Sequence, residues 1–287
     1  MNRPIVYSAT PTAFNADGSL DLTSTRHIFE HAMDGGVDAL FVNGTTGEFV
    51  ALDRAERAAV VQCAVDIAGP DRVIAHVGAA TPHEAVRFTT DATEAGVTRL
   101  SVLTPYYMPI SPAGVEAQVA AVVSAAPEAR VFLYLFPDRT GVRIDPAQAV
   151  RIVETYRLAG IKISIPGVAY LGEVAAGLTS PRLVLSGNDG LLPQVLAQGG
   201  SGIVSGVSSA VPAPFAAAAA AIADARSDDA AHWQGIIERT VPVLGPSIRA
   251  LKHCLAAQGI IADAMCRVPI DHLDPAALTS AAAAHTY

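Results

Sequence analysis

Lysine is almost missing from this chain. Of 19 basic residues only Lys162 and Lys252 are lysine, and every other one is arginine. Cysteine is also scarce: Cys63, Cys254 and Cys266 are widely spaced and odd in number. That excludes a disulfide framework and a zinc pattern, and points to a reducing, cytosolic setting. There is no basic run and the net charge is −8, so neither nucleic acid nor a membrane surface is an expected partner. No apolar stretch of membrane length lacks turns or charges, and the run Ala216 to Ala221 is far too short to span. The opening Met1-Asn-Arg-Pro-Ile-Val-Tyr-Ser8 is too short and too polar for a signal peptide. Histidines such as His76, His83 and His232 lack ligand spacing, so no metal and no cofactor is expected.

What is present is an apolar chain of 287 residues, 51% hydrophobic, in which short strands alternate with amphipathic helices. Strands are expected at Ile5–Thr10, Ala39–Val42, Arg72–Val77, Arg99–Leu103, Val131–Phe136, around Lys162, at Leu183–Ser186 and at Gly202–Ser205. Each is followed by a helical pattern, with Asp53 a plausible cap and Pro82 a first-turn proline. Eight such units predict a closed (β/α)₈ barrel over residues 1–225. A doubly wound nucleotide-binding sheet would want a Gly-x-Gly-x-x-Gly turn after the first strand, and Thr10-Pro-Thr-Ala-Phe-Asn15 is not one. From 226 to 287 strands stop, and three helices near Asp229–Val243, Ser247–Gln258 and Asp274–Ala284 form a C-terminal extension.

Lys162 lies inside Ala159-Gly-Ile-Lys-Ile-Ser-Ile-Pro166, a run that reads as a buried strand. A buried ammonium is costly, and a desolvated lysine can become a neutral amine able to attack a carbonyl, which arginine cannot. The competing reading is an amine that snorkels from a strand end to a carboxylate. Tyr134 is one strand-helix-strand unit away, so the two belong on adjacent strands, about 4.8 Å apart. A phenol beside an amine can shuttle protons during imine formation. Arg139, just beyond that strand in Pro137-Asp-Arg-Thr-Gly141, could fork onto a carboxylate or simply pair with Asp138. Asn43-Gly-Thr-Thr-Gly-Glu48 leads toward a helix and could aim N–H groups at an anion, or be an ordinary glycine turn. Thr104-Pro-Tyr-Tyr107 holds two of only seven tyrosines.

With Gly44-Thr-Thr-Gly-Glu48, Thr104-Pro-Tyr-Tyr107, Tyr134…Pro137-x-Arg-Thr-Gly141, Gly160-Ile-Lys162 and Leu185-Ser-Gly-Asn-Asp189 in this order, the chain resembles the dihydrodipicolinate synthase / N-acetylneuraminate lyase family. The resemblance covers nearly the whole length. It implies a class I, pyruvate-dependent aldolase in which Lys162 forms the imine and Tyr134 carries protons. It implies that Thr45 and Tyr107 complete the relay, Tyr107 from a neighbouring subunit. Thr46 would hold the pyruvate carboxylate, and Gly187 and the backbone of Val204 would line the substrate site. Tetramers built from tight dimers are the family's common assembly.

Some positions depart from the synthase pattern. Leu135 and Ile163 stand where synthases usually have Asn and Glu, and Met108 where they have Asn. Phe49 looks more like members acting on 2-keto-3-deoxy sugar acids, whereas Arg139 matches the arginine with which synthases grip aspartate semialdehyde. Ala80 stands where lysine-inhibited synthases carry Asn. The expectation is a synthase-like enzyme joining pyruvate to a carboxylate-bearing aldehyde. The alternatives are a sugar-acid aldolase or dehydratase, and a catalytically silent 2-oxo-acid sensor.

Overall fold

The computed structural model describes residues 3–267 and 273–287. Its strands are β1 (Ile5–Ala9), β2 (Ala39–Val42), β3 (Val73–His76), β4 (Arg99–Leu103), β5 (Arg130–Leu135), β6 (Gly160–Ile163), β7 (Leu183–Ser186) and β8 (Gly202–Ser205). They run in chain order as one closed parallel barrel, the architecture expected from the alternation. Strands of such a barrel are covered on both faces, which is why they read as continuous apolar runs. In β2, β3, β6 and β8 every residue is buried.

The helices are α1 (Leu22–Asp34), α2 (Arg54–Ala68), α3 (Pro82–Glu94), α4 (Pro112–Ala125), α5 (Pro137–Thr140), α6 (Pro146–Thr155), α7 (Ala169–Gly177), α8 (Leu192–Ala197) and α9 (Pro212–Ala223). The C-terminal helical region adds α10 (Ser227–Leu244), α11 (Ile248–Ala257) and α12 (Pro275–Ala283). Side-chain caps start many of them. Asp53 with Glu56 and Asp145 with Gln148 form reciprocal capping boxes on α2 and α6. Thr81 and Ser111 cap α3 and α4, each followed by a first-turn proline.

Several strand ends fall a residue short of the sequence expectation, as at Thr10, Arg72 and Val77, and two further differences bear on the site. β5 ends at Leu135, and Phe136 turns out of the strand to precede the four-residue α5. Pro137 supplies the cause, because its fixed φ suits a helical first turn and it has no N–H to give to a ladder. The loop after β2 runs first into a 3₁₀ turn, Phe49–Ala51, and only then into α2.

Packing divides the chain into two compact units, one holding the residues up to Val73 and from Ser205 onward, the other Ile74–Val204. In the first, Phe14, Phe29 and Phe215 are wholly buried. In the second, Tyr134, Leu100, Leu133 and Ile152 fill the same role. Each such side chain contributes about 1.5–3 kcal/mol through removal from water.

Candidate active site

Within the second unit, strand register determines the central pair. β5 and β6 pair so that Tyr134 stands directly opposite Lys162. Both are buried, Tyr134 at 1% and Lys162 at 5% exposure. The Lys162 Nζ lies 4.0 Å from the centre of the Tyr134 ring, over its face. The amine is therefore held inside, against an aromatic surface, and is not led out along a strand end. β6 and β7 approach closely here because Gly160 has no side chain: a Cβ there would fall 2.1 Å from the Leu183 carbonyl oxygen.

The loops beyond these strands carry the other expected residues. The Thr104 backbone N–H donates to the Tyr134 carbonyl (3.1 Å), and the Thr104 hydroxyl donates to Thr140 Oγ1 (3.2 Å). These bonds fasten α5 beside the end of β4. On α5, Arg139 is exposed, its guanidinium 5.9 Å from the Phe136 ring centre. The pairing with Asp138 does not form; Asp138 bonds instead to Arg143 at 3.1 Å. Tyr107 is 91% exposed and has φ +79°, the left-handed region that side chains with a Cβ rarely enter. Gly187 donates its N–H to the Ile163 carbonyl (2.8 Å), and a Cβ on it would meet Ser164 Oγ at 2.1 Å. Val204 is buried on β8.

The first unit holds the loop after β2. Thr45 and Thr46 are half-buried there, and Thr45 O accepts the Glu48 N–H at 3.1 Å. Thr46 Oγ1 lies 3.4 Å from the point where a Cβ on Gly206 would stand, so this glycine keeps the space beside the hydroxyl open. Asn43 and Glu48 bracket the loop with φ +55° and +54°.

Two contacts have no signal in the sequence, and a third observation bears on residues already noted. His76, buried at the end of β3, meets the Tyr134 ring edge-on with ring centres 6.0 Å apart. The spacing of the histidines speaks only to metal binding and gives no sign of this contact; among the described residues no group of three His, Cys, Asp or Glu could hold a metal. Asn188 bonds to the carbonyls of Ile165 (2.8 Å) and Gly167 (3.1 Å), joining the loops after β6 and β7. Leu135 and Ile163 are themselves register partners, both buried, each one residue past Tyr134 and Lys162. Alternation therefore turns them to the opposite strand face. The two departures thus stand side by side in the barrel wall, where two apolar groups can pack against each other without leaving a buried polar group unpaired.

The fold and this buried pair define a (β/α)₈ barrel that carries a lysine on β6 opposite a tyrosine on β5. The chain belongs to the dihydrodipicolinate synthetase family, whose model matches residues 4–285. It is thus a class I lyase of that family. A 4-hydroxy-tetrahydrodipicolinate synthase of Salinibacter ruber is 37% identical over 212 residues, 73% of this chain and 70% of that protein. The Escherichia coli K12 family member YagE, solved in complex with pyruvate, superposes with a TM-score of 0.89 at 26% identity, over 100% of this chain and 97% of that one. A monomeric dihydrodipicolinate synthase variant superposes with a TM-score of 0.91 at 25% identity, over 99% and 96%.

Proposed function

We propose that this protein forms a Schiff base between Lys162 and pyruvate and joins C3 of pyruvate to a carboxylate-bearing aldehyde, as a synthase of the 4-hydroxy-tetrahydrodipicolinate type. One observation carries the reading: a buried amine 4.0 Å over the ring of the tyrosine opposite it. In this scheme the Lys162 amine attacks C2 of pyruvate, and the carbinolamine loses its oxygen as water. The resulting imine draws electrons from C3, so loss of a C3 proton gives a neutral enamine and not a free carbanion. The enamine attacks the aldehyde carbon, whose oxygen takes up a proton, and addition of water to the imine frees Lys162. Tyr134 carries the protons, with Thr45 and Tyr107 completing the relay. Thr46 holds the pyruvate carboxylate, and Gly187 and the Val204 backbone line the substrate. No cofactor enters, and the setting is the cytosol.

Arg139 decides the second substrate. Its exposed guanidinium is in no ion pair among the described residues, which supports a role in gripping an incoming carboxylate. Incubation of pyruvate with a panel of aldehydes, including aspartate semialdehyde and short sugar aldehydes, followed by product analysis, tests this. Arg139→Ala should weaken use of acidic aldehydes by roughly tenfold to a hundredfold, matching the ~1.5–3 kcal/mol of a hydrogen bond to a charged group, and spare neutral ones. Equal loss of both, or wild-type cleavage of 2-keto-3-deoxy sugar acids in preference, would put the sugar-acid aldolase first. Phe49 is the residue that favours that second reading.

Tyr107 supports a shared site. An aromatic side chain 91% exposed beside Met108 at 62% is better accounted for by a second copy of the chain than by water. The assembly proposed is a tetramer of tight dimers. Mixing the inactive variants Tyr107→Phe and Lys162→Ala should restore activity, since one mixed site then has both groups intact. No recovery after verified subunit exchange would leave each protomer with a self-contained site.

A further inference from the structure

The second lysine is the more deeply buried. Lys252 on α11 is 0% exposed, and its ammonium donates to Glu48 Oε1 and to the Met265 carbonyl, both at 2.6 Å. Phe14 covers it, with the ring centre 4.4 Å from Nζ. Glu48 is as fully enclosed, with its side chain at 0% exposure. A buried ion pair of this kind is seldom retained for stability, because well-packed apolar residues of similar volume usually do as well or better. What it supplies is a fixed geometry, since neither charge can leave the other without being stranded.

Glu48 is the last residue of the loop Gly44–Glu48. Thr45 and Thr46 occupy its middle, and left-handed residues close it at both ends. Residues with a Cβ persist in that conformation only where their surroundings over-determine it. At the first end, Asn43 Nδ2 donates to the Arg57 carbonyl at 2.9 Å. Midway, the Thr12 hydroxyl donates to the Gly47 carbonyl at 2.9 Å. At the other end the anchor is Lys252. Just downstream, Arg267 bonds the Ala51 carbonyl (3.0 Å) and both oxygens of Glu56 (2.6 Å each), so the C-terminal segment also holds the turn and the start of α2 that follow the loop.

We infer that Lys252 is a positioning residue: from the C-terminal helical region it locks Glu48, and through Glu48 the loop that presents Thr45 and Thr46 to the 2-oxo-acid carboxylate. The inference rests on the substrate role proposed for Thr46. At this position one compact ammonium serves a carboxylate, a carbonyl and a ring face at once.

The test compares wild type, Lys252→Met and the double variant Glu48→Gln/Lys252→Met. Three quantities are measured: the pyruvate concentration that half-saturates borohydride trapping, thermal stability, and hydrogen exchange at the Gly44–Glu48 amides. Lys252→Met strands a buried carboxylate, so it should lose stability. It should also need roughly tenfold to a hundredfold more pyruvate, the scale of losing one hydrogen bond to a charged group, ~1.5–3 kcal/mol. The double variant has no stranded charge and should recover thermal stability. It should still exchange faster in the loop and still need more pyruvate, because the anchor is gone. A double variant with wild-type half-saturation and wild-type loop exchange would overturn the inference, leaving a purely structural pair. If Lys252→Met does not fold, the double variant alone decides. If wild type traps no pyruvate, the Schiff-base reading fails by itself, and loop exchange still shows whether Lys252 holds Glu48.

Discussion

Borohydride added with pyruvate should fix the three-carbon acid irreversibly on Lys162, and Lys162→Arg should abolish both the adduct and turnover. The argument is chemical before it is structural. A guanidinium stays protonated at any pH the fold survives, so it keeps the charge but has no lone pair to offer a carbonyl. Peptide mapping of the reduced adduct separates the only two lysines of the chain. Lys252 is engaged with Glu48 and Met265 at 2.6 Å and is enclosed by Phe14, so it should remain unlabelled. Label on Lys252, or no adduct with any 2-oxo acid, would remove the Schiff-base reading and favour a barrel that binds such acids without reacting.

The parts of this site that were legible in the sequence are those with a local signal. Eight short, mostly apolar strands alternating with amphipathic helices predict the barrel, because a strand covered on both faces needs no polar side. The same logic made Lys162 conspicuous, since a cation interrupts such a run at a cost. Counting units placed Tyr134 on the adjacent strand, and the register puts it directly opposite. The short α5 was missed because a proline after a strand also reads as a simple stop. The Arg139–Asp138 pairing failed for a related reason: sequence neighbours on one short helical turn need not face each other, and Asp138 found Arg143 instead. The Lys252–Glu48 pair had no local trace at all, since its members stand 204 residues apart. Leu135 and Ile163 could have been read better. Strict alternation from Tyr134 and Lys162 already turns them away from the amine, so their apolar character bears on packing and not on substrate contact.

Tyr134→Phe should lower turnover by ~10²–10⁴ while leaving the fold and the trapped imine detectable. Phenylalanine fills the same space at a site only 1% exposed, so the core that tyrosine occupies is kept. The contact with Lys162 is also kept, because Nζ sits 4.0 Å from the ring centre and the interaction is with the ring face. The substitution therefore removes the hydroxyl alone, which makes it a cleaner probe than alanine. Single-turnover measurements should show imine formation and its breakdown both slowed, with thermal unfolding near that of wild type. Turnover within a few-fold of wild type would mean that another group moves the proton. His76 would be the first to examine, since its ring lies edge-on to Tyr134 with centres 6.0 Å apart. In that case a Tyr134→Phe/His76→Phe double variant should lose the activity that the single variant kept.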